Sequence, residues 1–252
     1  MARGWLCAIA LMAIVAGAHA TNRKLAGSKG PALLGMADAQ KNKQLRILAF
    51  GDSITEGWIN TSQQKHPYTW RLESLLRGRL APKGISVQIT NGGIGSAGVL
   101  DRLNDGLLGQ LKAARDAGRP FHYVVFMAGI NDILLTKRNA DDIVQRMKEL
   151  WAATAREGTT TLVIPTLPTS VKEGEATRKE LVTKIKAAVR DARRSGDASL
   201  QLLDLEKPFD WWAMDAARRS QIFDDGVHLT DYGYQQYLPD LIYGGLVKAA
   251  KI

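Results

Sequence analysis

Gly51-Asp52-Ser53-Ile54-Thr55-Glu56-Gly57 follows directly on Leu45-Arg46-Ile47-Leu48-Ala49-Phe50, and this junction decides how the chain is read. The first run is short and apolar, the pattern of a strand buried on both faces of a parallel sheet. The second crowds two glycines, two acids and a serine into the point where such a strand must turn. In open α/β sheets, chemistry lies outside the carboxyl ends of the strands. Ser53 therefore stands where a nucleophile would be displayed. Asp-Ser after a strand is also ordinary turn and capping chemistry, and the stretch alone does not separate the two readings.

Four further strand-like runs follow, over residues 85–90, 123–128, 160–164 and 200–205. Helical spacings lie between them. Leu72, Leu75, Leu76 and Leu80 mark the first, and Leu100, Leu103, Leu107, Leu108 and Leu111 the second. Ile143, Met147, Leu150 and Trp151 mark the third; Leu181, Val182, Ile185, Ala188 and Val189 mark the fourth. A last helix is expected over 232–246, where Pro239 should kink or interrupt it. Strands alternating with helices of this length predict one α/β domain over residues 45–252, its parallel sheet covered on both faces.

The start of the chain reads differently. Arg3, an apolar run over 6–15 and the small-x-small site Ala18-His19-Ala20 have the form of a secretory signal peptide over residues 1–20. That run is too short to span a bilayer comfortably, and no transmembrane segment is expected in the mature chain. Residues 21–44, rich in Lys, Ala, Gly and Asn without a period, read as a flexible leader. Removing the first twenty of 252 residues also removes Cys7, the only cysteine. A secreted chain is then held by its core rather than by disulfides, and neither a thiol nucleophile nor a thiolate metal site is available. The net charge of +9 is that of a soluble basic surface, and it would also suit an anionic polymer or membrane surface. The basic residues are nonetheless scattered and not interleaved with aromatics, which disfavours nucleic acid. A lone sequon, Asn60-Thr61-Ser62, lies in the loop after the Ser53 turn.

Gly93-x-Gly95-x-x-Gly98 matches the dinucleotide fingerprint letter for letter. It lacks the acid that should end the next strand and hold a ribose, and it does not follow the first strand. No cofactor is expected. Beyond the signal segment the only histidines are His66, His122 and His228, too dispersed to suggest a metal. A serine nucleophile needs a base. His122 enters a strand at the wrong end of a parallel sheet, and His66 precedes a proline in a loop. His228 follows the fifth strand, three residues beyond Asp225, a spacing that lets the carboxylate fix the ring tautomer. Attack on an ester also needs donors for the tetrahedral oxygen. The N–H groups of Ser53 and of the glycine-rich loop, with the Asn131 amide, offer three.

Together these residues make the chain similar to the SGNH hydrolases, the GDSL-type esterases and lipases. The matching blocks are Gly51-Asp52-Ser53-Ile54-Thr55-Glu56-Gly57, Asn91-Gly92-Gly93-Ile94-Gly95-Ser96, Gly129-Ile130-Asn131-Asp132 and Asp225-Gly226-Val227-His228. The second departs from the family's Asn-x-Gly-x-x-Gly by placing Ser96 in the last glycine slot. The resemblance implies a flavodoxin-like three-layer α/β/α sandwich with a five-stranded parallel sheet. It implies a catalytic triad of Ser53, Asp225 and His228, with Ser53, Ser96 and Asn131 forming the oxyanion hole. The Gly-x-Ser-x-Gly signature of the α/β-hydrolases is absent. The expected activity is that of a secreted serine esterase working through an acyl-enzyme on short-chain or carbohydrate-linked acyl groups, or on a small soluble ester. A lysophospholipase or thioesterase is the enzymatic alternative. Intact Ser53, Asn131 and His228 argue against a non-catalytic carbohydrate- or surface-binding protein on the same fold. Trp58, Trp211 and Trp212 are candidates to line an acyl or sugar pocket.

Overall fold

The structure, a computed structural model, describes residues 31–252. The expected signal peptide and residues 21–30 of the expected leader lie outside the described residues. Five parallel strands form one sheet: β1 (Gln44–Gly51), β2 (Ser86–Gly93), β3 (Tyr123–Met127), β4 (Thr160–Ile164) and β5 (Leu200–Leu202). Their spatial order is β2-β1-β3-β4-β5, the flavodoxin-like order, with its switch point at β1. Gly51 stands in register with both Gly93 and Met127. The ends of the three adjacent strands are thus level, and the loops that leave them converge.

Alternation along β1 sorts the helices into two layers. Leu45, Ile47 and Ala49 face α1 (Pro31–Asn42), α3 (Thr69–Leu80) and α9 (Leu238–Ala250). Leu48 and Phe50 face α4 (Arg102–Asp116), α6 (Ala140–Arg156) and α7 (Glu175–Arg194). Each fully buried leucine in these layers contributes roughly 1.5–3 kcal/mol, so the apolar stripe of each helix dictates its seat. The stripe of α4 is narrower than its sequence suggests: Leu103, Leu107 and Leu111 are buried, whereas Leu108 is turned outward. Three short helices sit at strand or loop ends: α2 (Ser53–Glu56), α5 (Ile130–Leu134) and α8 (Ala216–Ile222).

Part of the expected leader is not a leader. Pro31–Asn42 is helical, and Met36 and Ala39, three residues apart, pack into the same core as β1 and α9. His122 locks this helix in place. Its Nδ1 accepts the Arg46 N–H at 2.9 Å, which leaves the proton on Nε2 to be donated to Asp38 at 2.9 Å. The residues of α1 keep no sustained helical period in the sequence, and a helix this short needs the rest of the core to stabilise it. The fifth strand is shorter than expected, ending at Leu202. It is an edge strand paired only to β4, which itself stops before Pro165. The expected interruption of the last helix lies just before Pro239. A π turn over Gly233–Tyr237 precedes α9 and places Pro239 in the first turn of that helix, where its missing N–H has no bond to lose. Among the described residues no helix is long and apolar enough to cross a membrane.

Candidate active site

The end of β1 delivers Ser53 as the first residue of α2. Asp52 caps that helix, its Oδ1 accepting the Ile54 N–H at 3.0 Å. Asp52 is buried, and burial pushes its carboxyl up to about 7 against the pull of the Ile54 bond. Ser53 Oγ lies 2.9 Å from His228 Nε2. On the far side of the ring, His228 Nδ1 lies 2.8 Å from Asp225 Oδ2. The other Asp225 oxygen accepts the N–H groups of Val227 and His228 at 2.9 and 2.7 Å. Burial works to raise the Asp225 pKa, but the bonds from the His228 ring and these two N–H groups outweigh it and hold it at about 2. An ionised Asp225 keeps the proton on Nδ1 and leaves the Nε2 lone pair facing Ser53.

The adjacent acid points elsewhere. Asp224 accepts the Thr61 N–H at 2.9 Å and the Thr61 hydroxyl at 2.5 Å. Thr61 belongs to the turn joining the two-residue strands Trp58–Ile59 and Gln64–Lys65. His66 just beyond them bonds Asp231 through Nδ1, and Tyr234 Oη donates to the Trp58 carbonyl at 3.0 Å. This ribbon is therefore fastened on both sides of the His228 loop. His66 and His122 are accounted for as fastenings, and of the three histidines among the described residues His228 is the one that reaches the serine.

Asn131 is the second residue of α5. Its amide nitrogen donates to the Ala97 carbonyl at 3.0 Å, and its second proton remains for another acceptor. The N–H groups of Ser53 and Ser96 have no acceptor among the described residues. Ser96 has φ = +55°, the left-handed region that favours glycine. The serine in the family's glycine slot thus keeps a glycine-like backbone. Asp132, which sequence reasoning left without a role, holds this loop. Its two oxygens accept the Val99 and Leu100 N–H groups at 2.8 and 3.1 Å, and burial raises its pKa. The close approach explains Gly98, where a Cβ would lie 2.6 Å from Asp132 Oδ1. The glycines of the apparent dinucleotide fingerprint therefore serve protein contacts. The signal for Asp132 was its place beside Asn131, but its partners lie over thirty residues upstream.

The three candidate tryptophans part company. Trp58 is paired in the ribbon. Trp211 stands edge-on to Phe223 with ring centroids 5.0 Å apart, and Trp212 is 46% exposed.

A serine bonded to an imidazole that is bonded to a carboxylate, at the switch point of a flavodoxin-like sheet, defines a serine hydrolase. The chain matches the GDSL-like Lipase/Acylhydrolase family over residues 49–236 and belongs to that family. It is a carboxylic ester hydrolase. Its fold is similar to a carbohydrate esterase family 3 structure from Talaromyces cellulolyticus (20% identity, TM-score 0.59, covering 82% of this chain and 98% of that one). It is also similar to a carbohydrate acetylesterase family member from Sinorhizobium meliloti (16%, 0.61, 82% and 100%). The acetyl xylan esterase AlAXEase is a third likeness (19%, 0.57, 79% and 98%). No curated protein matches the chain significantly.

Proposed function

We propose that this chain is a secreted esterase that removes short acyl groups from carbohydrate through an acyl-enzyme on Ser53. The observation that carries the chemistry is the continuous hydrogen-bonded series Ser53 Oγ, His228 Nε2, His228 Nδ1 and Asp225 Oδ2 at 2.9 and 2.8 Å. His228 Nε2 takes the Ser53 proton as Oγ bonds to the ester carbonyl carbon. The carbonyl electron pair moves onto oxygen, facing the Ser53 and Ser96 N–H groups and the free Asn131 proton. When the tetrahedral centre collapses, the carbon–oxygen bond to the alcohol breaks and His228 returns its proton to that oxygen. Water then gives a proton to His228 and attacks the acyl-enzyme. The acid leaves as Ser53 regains its proton. Asp225, held near pKa 2, stays ionised throughout and supports the imidazolium.

The carbohydrate part of the proposal is supported by the three esterase structures named above, and secretion by the form of residues 1–20. The purified enzyme should release acetate from an acetylated oligosaccharide faster than it hydrolyses long-chain acyl esters. Ser53→Ala should stay folded while losing turnover by about 10⁶ and losing labelling by a serine-reactive phosphonate. Labelling that survives Ser53→Ala would overturn the nucleophile. A preference for long acyl chains would overturn the carbohydrate reading while leaving the nucleophile intact.

A further inference from the structure

Trp211 and Trp212 are consecutive, yet they face opposite ways. Trp211 packs inward on Phe223 and reaches the catalytic loop, where a Cβ on Gly226 would lie 3.5 Å from its ring. Trp212 turns outward over a groove of about 410 Å³ that Pro168, Lys179, Lys207 and Asp210 also line. The exposure of this ring is built in. Asp210 Oδ1 accepts the Trp212 and Ala213 N–H groups at 3.1 and 3.2 Å, which sets the backbone carrying it. Under the groove, the buried Arg178 bonds Glu175 at 2.6 Å, Glu206 at 2.5 Å and the Thr166 carbonyl at 3.2 Å. That ties together α7 and the loops that leave β4 and β5. The Ser170 N–H donates to the Gly226 carbonyl at 2.8 Å, joining the same β4 loop to the catalytic loop. Lys172, two residues on, places its ammonium 5.6 Å from the Trp212 ring centroid.

The charge of the groove narrows its ligand. Glu175, Glu206 and Asp210 stand against Arg178, Lys179 and Lys207, so the lining itself is balanced and Lys172 over the Trp212 ring adds a single positive charge, although the whole chain carries +9. A site so nearly balanced gives an anionic polymer little net attraction. It does supply hydrogen-bonding groups around a flat apolar platform, the combination that suits a neutral ring with an apolar face and a hydroxyl rim.

We propose that Trp212 is the platform of a neutral-sugar subsite, beside the catalytic loop, that holds the carbohydrate part of the substrate. This rests on the carbohydrate-esterase reading above. Trp212, Lys207 and Asp210 are specificity-determining residues, outside the catalytic set.

Two measurements test it with the whole protein. The first is tryptophan fluorescence titration with a neutral, unacetylated oligosaccharide, which requires no turnover. Wild type should bind with little dependence on salt, and Trp212→Ala should weaken binding at least tenfold. Trp212→Phe should restore most of the loss. The second is steady-state kinetics. Trp212→Ala should raise KM at least tenfold on an acetylated oligosaccharide and leave kcat on a small aryl acetate within twofold. Wild-type affinity in Trp212→Ala, or no wild-type binding at millimolar oligosaccharide, would overturn the subsite. So would an equal loss on both substrates, which would make Trp212 structural. Binding that persists without acetate release from any acetylated sugar would instead refute the proposed reaction and leave the subsite standing.

Discussion

Replacing Asp225 by Asn is the sharpest perturbation available, because the carboxylate accepts three bonds and an amide can accept them on only one of its two ends. In one orientation the Asn oxygen serves the Val227 and His228 N–H groups, as Asp225 Oδ1 does at 2.9 and 2.7 Å. Its NH2 then meets His228 Nδ1, which must become an acceptor. The ring proton moves to Nε2, and His228 can no longer take the Ser53 proton. In the flipped orientation the tautomer survives, but two backbone donors confront an NH2, at roughly 1–3 kcal/mol for each donor left unmade. The first orientation should win, and kcat on a small ester should fall by about 10²–10⁴. Stability should fall as well. A carboxyl held at about 2 against an ordinary 3.8 corresponds to about 2.5 kcal/mol if sealed from water. Solvent screening at this half-buried site reduces that to about 1 kcal/mol. Because the folded-state pKa is the lower one, this contribution is complete above about pH 4. It is lost as pH falls from there through about 2. Denaturant titrations of both proteins should therefore converge in strong acid. Asp224→Asn provides the control: among the described residues its carboxylate bonds only Thr61, and kcat should stay within about threefold of wild type. An equal or greater kcat loss in Asp224→Asn than in Asp225→Asn would refute the assignment.

Asn131→Ala should lower kcat by about 10²–10³ with little change in KM, since its bond to the substrate oxygen tightens in the transition state; a change confined to KM would assign it to substrate binding. Ser96→Gly should keep activity and raise stability by up to about 1 kcal/mol, because it relieves the φ of +55° while keeping the same N–H; urea unfolding reads this directly. Asp52→Asn keeps the cap on Ile54 and removes a carboxyl that burial raises to about 7. With the folded pKa above the unfolded one, charged Asp52 costs stability that is lost progressively from about pH 4 up to about 7. The variant's Tm should therefore exceed wild type at pH 8 and match it near pH 4.

The limits of local reasoning show in particular residues. The apolar run from Leu45 to Phe50 and the alternation of strands with leucine-spaced helices define the α/β class, because burial imposes those periods on any sequence that forms such elements. Ser53, Asn131 and His228 were legible for a related reason: each follows a predicted strand, and parallel strands end on one side of the sheet. Local pattern carries no such information about α1, whose buried Met36 and Ala39 gain their stability from β1 and α9. Nor does it assign Asp132, whose carboxylate is held by the Val99 and Leu100 N–H groups. Spacing points to Asp225, but what keeps the adjacent Asp224 away from His228 is its bond to Thr61, more than 160 residues upstream. Trp211 and Trp212 are alike in sequence, yet one packs against the core and the other is exposed, for the same reason. Periodicity is written by contacts that recur along one element, whereas a hydrogen-bond partner or an exposed ring depends on which distant segment the folded chain brings beside it.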